Sequence, residues 1–192
     1  MAKRRQPEAT DLSLEKADPF RRLPPQDRKA FETLLKQFSI ADDAWDVLLL
    51  GDGSGSKWGH AVGFASVTFD RRTGRHRTWY GGLNDGTVNL AEIMAYMAPL
   101  TFLATQALDA KESGMRLKVV HVHIFTDSQY CRDTGKKGCS MQGKNNLLWE
   151  CLKSVNRVGV IPHWHWIRRE TSPLNSLVDR LSKASRHAII GV

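Results

Sequence analysis

Two aspartates, Asp52 and Asp127, each follow the last apolar residues of a predicted strand, in the segments LLLGDGSGS and HIFTDSQY. In mixed α/β sheets, functional groups collect beyond the ends of strands. Carboxylate oxygens are the ligands that hard divalent cations such as Mg²⁺ prefer, so acids placed there suit a metal site. Taken singly, an aspartate before glycine is more often a turn residue, and a helical aspartate is more often solvated. Whether these aspartates form a metal site therefore depends on where the helices and strands place them.

Apolar periodicity predicts five strands and three main helices in the order βββαβαβα. The predicted strands cover residues 47–50, 61–69, 75–80, 118–125 and 163–167, and the predicted helices cover residues 89–108, residues 143–155 and a stretch from about Pro173. A tight turn is expected in the Gly-Asp-Gly-Ser-Gly run after the first strand, and Pro99 should kink or interrupt the first of these helices. This order implies a mixed sheet with helices packed on it.

The N-terminal residues differ in composition from the rest of the chain. Large apolar residues are rare there until a helically spaced set that follows the Pro24-Pro25 pair. That set comprises Phe31, Leu34, Leu35 and Phe38. We therefore expect a tail with one short helix over residues 1–44, and a single folded domain over residues 45–192.

The formal charge of +8 is unevenly distributed. Residues 1–44 hold nine Lys/Arg against eight Asp/Glu, so about +7 belongs to the remainder. A basic domain suits a polyanionic partner, although charge alone fits a soluble basic protein equally well. No apolar run approaches the roughly 20 residues of a membrane helix, and the N-terminus lacks the apolar stretch of a secretory signal, so we expect a cytoplasmic protein without a membrane partner. The three cysteines form no CxxC pair and are expected to be free thiols.

Four segments resemble, in order, the four active-site motifs of type 1 ribonuclease H: LLLGDGSGS, GTVNLAEIMAYM, HIFTDSQY and NSLVDRLSKAS. The acids that match are Asp52, Glu92, Asp127 and Asp179. They fall at the end of the first strand, in the first of the three helices, at the end of the fourth strand and in the last helix. The resemblance covers about residues 45–188 and implies an α/β ribonuclease H-like fold, a five-stranded mixed sheet flanked by helices.

The same resemblance implies an endonuclease that hydrolyses the RNA strand of RNA–DNA hybrids. The four matched acids would be both catalytic and metal-binding, holding two Mg²⁺ or Mn²⁺ ions with substrate and leaving 5′-phosphate and 3′-hydroxyl ends. Without metal, clustered carboxylates repel one another, so raised pKa values are expected at this site.

Polar residues near the matched acids are candidate contacts to nucleic acid. Asn89 and Gln129 occupy positions where the family uses amides beside the cut strand, and an amide can read a 2′-hydroxyl because it both donates and accepts. Lys144 and Asn145 lie in KNNLLW, which resembles a family segment that contacts the backbone. Asn175 lies one turn before Asp179 and joins these candidates. Ordinary surface polarity explains each of them equally well.

Two departures from the family pattern concern binding and proton transfer. Many members have a longer basic excursion where only eighteen residues separate Tyr130 from Trp149 here, which predicts weaker hybrid binding unless Lys136, Lys137 and Lys144 substitute. Many members also carry a loop histidine ahead of the last acid, whereas this chain reads Arg168-Arg169-Glu170 there. We expect Arg169 to contact a phosphate, and Glu170 either to relay a proton or to pair with a neighbouring arginine.

Two His-x-His pairs, His121/His123 and His163/His165, each project from one face of a predicted strand. Zinc binding is possible in principle, but no third ligand is recognisable. Hydrogen-bonded sheet histidines are the favoured interpretation.

Two other functions remain open at the level of sequence. The first is another metal-dependent nuclease or strand-transfer enzyme of the same superfamily, which the amides at Asn89 and Gln129 disfavour. The second is a non-catalytic hybrid-binding module, which the four acids disfavour because a pure binder gains nothing from negative charges facing phosphates. In each case a monomer is expected.

Overall fold

The computed structural model describes residues 23–55, 60–115, 118–137, 145–169 and 172–190. The helices and strands are α1 (Pro25–Gln37), β1 (Val47–Gly55), β2 (Val62–Asp70), β3 (Arg75–Leu83), α2 (Val88–Glu112), β4 (Val120–Thr126), α3 (Gln129–Lys137), α4 (Asn146–Ser154), a 3-10 turn (Val155–Val158), β5 (Val160–Trp166) and α5 (Pro173–Ile190). The predicted elements are all present, and α3 is a further helix between β4 and α4.

The five strands form one mixed sheet in the order β3-β2-β1-β4-β5. β1 pairs with β2, and β2 with β3, in antiparallel orientation, whereas β1 pairs with β4, and β4 with β5, in parallel. Parallel neighbours need crossovers, which α2 and the α3–α4 segment supply. The predicted fold class is confirmed.

The predicted turn after residue 50 is wrong, because β1 continues through the whole Gly-Asp-Gly-Ser-Gly run. Asp52 pairs with Ala65 and Gly55 with Val62, in unbroken register with β2. The glycines serve close packing rather than chain reversal. A Cβ added at position 53 would lie 2.3 Å from the backbone nitrogen of Glu92, and one added at Gly51 would lie 2.9 Å from the ring of Tyr96.

Helix α2 departs from expectation in two ways. It continues through Pro99 without interruption, and Pro99 is itself buried. By length and composition α2 is also apolar enough to cross a membrane, contrary to the expectation that no run approaches that length; a core helix passes the same test. Ile93, Tyr96 and Leu100 of α2 pack into one core cluster with strand residues, which is the arrangement of a core helix.

Both faces of the sheet are covered. Leu48 and Leu50 of β1 point into a cluster beneath α1 and α5, whereas Val47 and Leu49 point into a second cluster beneath α2 and α4. This alternation is the two-residue period of a strand. A central strand buried on both faces can therefore hold Asp52 rigidly, two residues past Leu50, the last residue that pairs with β4.

Helix α1 is part of the first core cluster. Phe31 is fully buried, and its ring centroid lies 6.3 Å from that of Phe69 on β2. Leu34 and Leu35 are buried in the same cluster, beside Trp45. The division of the chain at residues 44 and 45 stays a prediction, but α1 contributes to the core of the sheet domain. Residues 1–22 lie outside the described part of the chain.

Candidate active site

Close contact between β1 and α2 brings the first two matched acids together. Because Gly53 has no side chain, the backbone of α2 at Ala91 and Glu92 lies directly on the strand. The Tyr96 hydroxyl fixes the contact by donating to the carbonyl oxygen of Gly51 at 2.8 Å. Asp52 and Glu92 are thus held at the same end of the sheet.

The third acid, Asp127, follows the last residue of β4, which lies beside β1 in parallel. The indole Nε1 of Trp166 donates to the Asp127 carbonyl oxygen at 3.1 Å and ties the ends of β4 and β5 together. Ser128 donates through its Oγ to Glu92 Oε2 at 2.5 Å, which links this segment to α2. Asp127 is therefore positioned by the hydrogen bond to its own carbonyl oxygen and by the contact that the next residue, Ser128, makes with α2.

Helix α5 supplies the fourth acid, Asp179. The helix begins at Pro173, as predicted, and the Ser172 hydroxyl accepts a hydrogen bond from the backbone nitrogen of Leu174. Ser182 lies one turn beyond Asp179; its Oγ donates to the Asp179 carbonyl oxygen at 2.9 Å and lies 3.4 Å from Asp52 Oδ2. Gly63 of β2 permits this approach, because a Cβ there would lie 2.0 Å from the Ser182 carbonyl oxygen.

The four acids line two adjoining cavities. Asp52, Asp127 and Asp179 line one of them, together with Asn175 and other residues of α5. Glu92 and Asp127 line the second with Trp166, Arg168 and Arg169. Asp127 and Arg169 belong to both cavities, so the structure brings the four sequence-predicted acids to one place.

Burial and mutual repulsion perturb the acids, as the sequence predicts for clustered carboxylates. Asp52 is only 5% exposed, and its pKa is raised to about 7, first by burial and then by the charges of Asp127, Asp179 and Glu92. Burial also raises the pKa of Glu92, against the hydrogen bond from Ser128. The charged form of this cluster is destabilised without a compensating cation.

Two basic side chains supply part of that compensation. Arg169 Nε lies 3.2 Å from Asp127 Oδ2, and Lys183 Nζ lies 2.7 Å from Asp179 Oδ2. Both cations are largely exposed, at 72% and 55% of their side-chain surface, so these ion pairs are weak and exchangeable.

The donor set suits a hard divalent cation. Asp52 Oδ1 and Asn175 Oδ1 are buried without a hydrogen-bond partner among the described residues, and each is an oxygen of the type that Mg²⁺ and Mn²⁺ bind. Within the described ranges, no three His, Cys, Asp or Glu side chains lie in an arrangement that could already hold a metal ion. The acids thus fit such an ion in chemistry and general placement, while Asp127 and Asp179 hold Arg169 and Lys183 as partners.

The predicted substrate contacts are dispersed around this centre. Asn89 and Gln129 are exposed in the first turns of α2 and α3, and Asn175 lines the cavity of Asp52. Asn145 precedes α4 and donates from Nδ2 to the Tyr130 hydroxyl at 3.4 Å. Their contacts with nucleic acid stay predictions. Lys144 and Glu170 lie outside the described residues.

Sequence reasoning missed the serines that orient the acids. Ser128 follows Asp127 directly, and Ser182 lies three residues after Asp179 on the same helix. Neither serine stands out from the many surface serines of a sequence.

The histidine pairs form hydrogen bonds between strands, which agrees with the favoured interpretation. His121 Nδ1 lies 3.0 Å from His163 Nε2, and His123 Nδ1 lies 2.9 Å from His165 Nε2. The rings stack along the β4–β5 interface, and His123 also reaches the Ala44 carbonyl oxygen at 3.3 Å. Cys131 and Cys151 are free thiols, as expected, whereas Cys139 lies outside the described residues.

Solved structures with low sequence identity share this architecture. LC11-RNase H1 in complex with an RNA/DNA hybrid superposes with a TM-score of 0.59 at 16% identity, covering 75% of this chain and 99% of that one. The N-terminal RNase H domain of a Mycobacterium tuberculosis protein superposes with a TM-score of 0.58 at 17% identity, covering 76% and 96%. These likenesses place the chain in the ribonuclease H-like fold class.

Curated relatives narrow this class. The ribonuclease H proteins of Legionella pneumophila strains Corby and Paris are each 30% identical over 125 residues, covering 58% of this chain and 78% of theirs. No protein-family model matches the sequence. On the strength of these relatives, the chain belongs to the ribonuclease H family.

Proposed function

We propose that this protein is an endonuclease that hydrolyses the RNA strand of RNA–DNA hybrids in the cytoplasm, using Mg²⁺ or Mn²⁺ held by its four acids. One observation carries the proposal: the other three matched carboxylates gather around the buried Asp52, whose Oδ1 has no partner among the described residues. A buried, crowded carboxylate is costly for stability, and a divalent cation relieves that cost.

Each side chain has a task in this proposal. The metal would be held by the four matched acids, Asp52, Glu92, Asp127 and Asp179. Ser128 orients the Glu92 carboxylate through its hydrogen bond, and the Ser182 hydroxyl lies beside the Asp52 carboxylate. Bound divalent metal would supply an activated water and stabilise the leaving oxygen, leaving 5′-phosphate and 3′-hydroxyl ends. Asn89 and Gln129 would read ribose hydroxyls of the cut strand.

Arg169 is the proposed phosphate contact in the segment where many relatives carry a histidine. Its guanidinium pairs with Asp127 and is largely exposed, so it can exchange this partner for a phosphate when the acid binds metal. It would then neutralise charge on the backbone next to the cut.

A cleavage assay on matched substrates tests the proposal. We expect cutting of a labelled RNA–DNA hybrid with Mg²⁺, no cutting with chelator, and no comparable cutting of duplex DNA or duplex RNA. The Asp127→Asn variant should be inactive, whereas Lys29→Gln on the exposed surface of α1 should retain parental activity. Parental rates for Asp127→Asn would show that the metal assignment is wrong, and preferential cutting of duplex DNA would favour another nuclease of the superfamily.

A non-catalytic hybrid-binding module is the second candidate, and one observation favours it. The salt bridges of Arg169 and Lys183 already neutralise two of the acids within the protein. Tight hybrid binding in chelator, with no cutting at any Mg²⁺ or Mn²⁺ concentration, would establish this alternative.

A further inference from the structure

A row of basic side chains on α5 borders the acidic cavity. Arg180, Lys183 and Arg186 line the same cavity as Asp52 and Asp127. At a rise of 1.5 Å per residue, the row spans about 9 Å along the helix axis. A nucleic-acid strand carries one phosphate per 3.4 Å of duplex axis, so this length corresponds to roughly two or three phosphates.

The three cations differ in how firmly they are held. Arg186 Nη1 donates to the Gly55 carbonyl oxygen at 2.7 Å, which anchors the far end of the row against β1. Lys183 is largely exposed apart from its bond to Asp179, and Arg180 is exposed. One anchored guanidinium and two exposed cations at helical spacing can contact successive phosphates of a nucleic-acid backbone.

The lysines that the sequence offers in place of a longer basic excursion lie elsewhere. The charge of Lys136 lowers the pKa of His165, so this lysine lies near β5, at the edge of the sheet. Neither Lys136 nor Lys137 lines the two cavities that hold the acids. Among the residues that the structure describes, the cations of α5 and Arg169 are the basic groups beside Asp52.

We propose that Arg180, Lys183 and Arg186 form a phosphate-binding track on α5, which holds the sugar–phosphate backbone of the nucleic-acid substrate beside the four acids. The track rests on the proposed function for its substrate, but it recognises phosphates rather than bases or ribose hydroxyls. The domain thus holds its substrate from the α5 side of the site.

The salt dependence of binding tests the track without any catalysis. The slope of log Kobs against log salt concentration is negative, and each phosphate contact that is lost makes it less steep by about 0.9. We expect the Arg180→Gln/Lys183→Gln variant to make this slope less steep by about 2 and to lower the affinity for a labelled RNA–DNA hybrid in chelator by roughly ten- to a hundredfold at moderate salt. Circular dichroism of each variant checks that helix α5 is intact.

The matched control removes the same charge from another helix. Lys29 and Lys36 are exposed on α1 and border a separate surface pocket, so Lys29→Gln/Lys36→Gln should leave the slope unchanged. Since phosphates alone are recognised, the same loss of slope should appear with duplex DNA as probe.

Two outcomes separate the track from the proposed function. If the α5 variant and the α1 control give the parental slope with both probes, the track does not exist, even if the parent cuts hybrids. If the α5 variant loses slope with duplex DNA while the parent never cuts hybrids, the track stands and the proposed function falls.

Discussion

The histidines that link β4 to β5 make the stability of the fold depend on pH. Burial lowers the pKa of His123 from 6.5 to about 4, and neighbouring His163 adds to the effect. Burial likewise lowers the pKa of His165 to about 4, with further contributions from His123 and Lys136. The unfolded chain binds more protons than the folded chain between these values, so the free energy of unfolding should rise as the pH rises from about 4 to 6.5.

The size of the effect follows from the two pKa values. At pH 5, one histidine that shifts from 6.5 to 4 lowers the free energy of unfolding by about 2 kcal/mol relative to neutral pH. Because His165 is only half-buried and the two stacked rings titrate together, we take about half of that for each, or about 2 kcal/mol for His123 and His165 together.

The acidic cluster changes the free energy of unfolding with pH in the opposite direction. The charge of Asp52 must therefore be removed before the contribution of the histidines can be measured. The raised pKa of Asp52 means that the folded state binds a proton more tightly, so this group lowers stability as the pH rises from 3.8 to about 7. The measurement is therefore made on Asp52→Asn protein by urea unfolding in chelator at pH 5.0 and 7.5.

In that background, unfolding at pH 5.0 should require about 2 kcal/mol less free energy than at pH 7.5. Adding His123→Phe and His165→Phe should remove most of this difference, because the pair is replaced by rings that do not titrate and neither partner is left alone. His76→Gln, an exposed histidine on β3, is the control and should not change it. An unchanged difference in the double phenylalanine variant would refute the reasoning.

Three further perturbations test how the site and the core are built. Gly53→Ala should lower both stability and hybrid cleavage, because its Cβ would meet the backbone nitrogen of Glu92 at 2.3 Å and displace α2; parental melting and kinetics would contradict the close-contact explanation. Arg169→Ala should lower kcat/KM for the hybrid several-fold to a hundredfold, about 1–3 kcal/mol, with an unchanged metal requirement, and equal kinetics would remove its phosphate role. Phe31→Ala should lower the free energy of unfolding by about 3–5 kcal/mol in urea titration, since the ring is fully buried against the sheet, whereas a loss below 1 kcal/mol would place α1 outside the core.

Local periodicity predicted the elements well, and its failures have a common cause. The Gly-Asp-Gly-Ser-Gly run of β1 predicted a turn, because glycine marks both chain reversal and close packing of another backbone. Only the position of α2, forty residues later in the chain, distinguishes the two uses. Pro99 is a similar case, since burial of α2 on the sheet keeps a helix intact where proline would break an isolated one.

Helix α1 is another case in which a local pattern predicts the element but not its packing partner. The helical spacing of Phe31, Leu34 and Leu35 predicted an apolar face, and such a face must be buried against something. The sequence does not say what it covers, and a nearly neutral, sparsely apolar N-terminal region looked separate from the domain. In the structure that face packs on Trp45 and Phe69, within the main core.

The resemblance identified the four acids, whereas three-dimensional contacts identified what positions them. Ser128 and Ser182 act across elements, on Glu92 and Asp52, so no local pattern marks them. The same holds for Arg186, which reaches Gly55 from the far end of α5. The motifs identify the candidate acids, and the fold shows which neighbouring side chains hold them in place.

Asp52 shows how a candidate site can be recognised by the stability that its buried side chain costs the fold. The central strand of a sheet is the place where stability favours apolar side chains, yet this position holds a carboxylate with a buried, unpartnered oxygen and a pKa raised to about 7. Arg169 pairs with Asp127 and Lys183 with Asp179, so these ion pairs are made by the outer acids, and the charge of Arg169 offsets the raised pKa of Asp52 only in part. A buried carboxylate that destabilises the fold is the feature that supports the proposed divalent cation, because the charge and donor preference of such an ion match an unpartnered carboxylate oxygen.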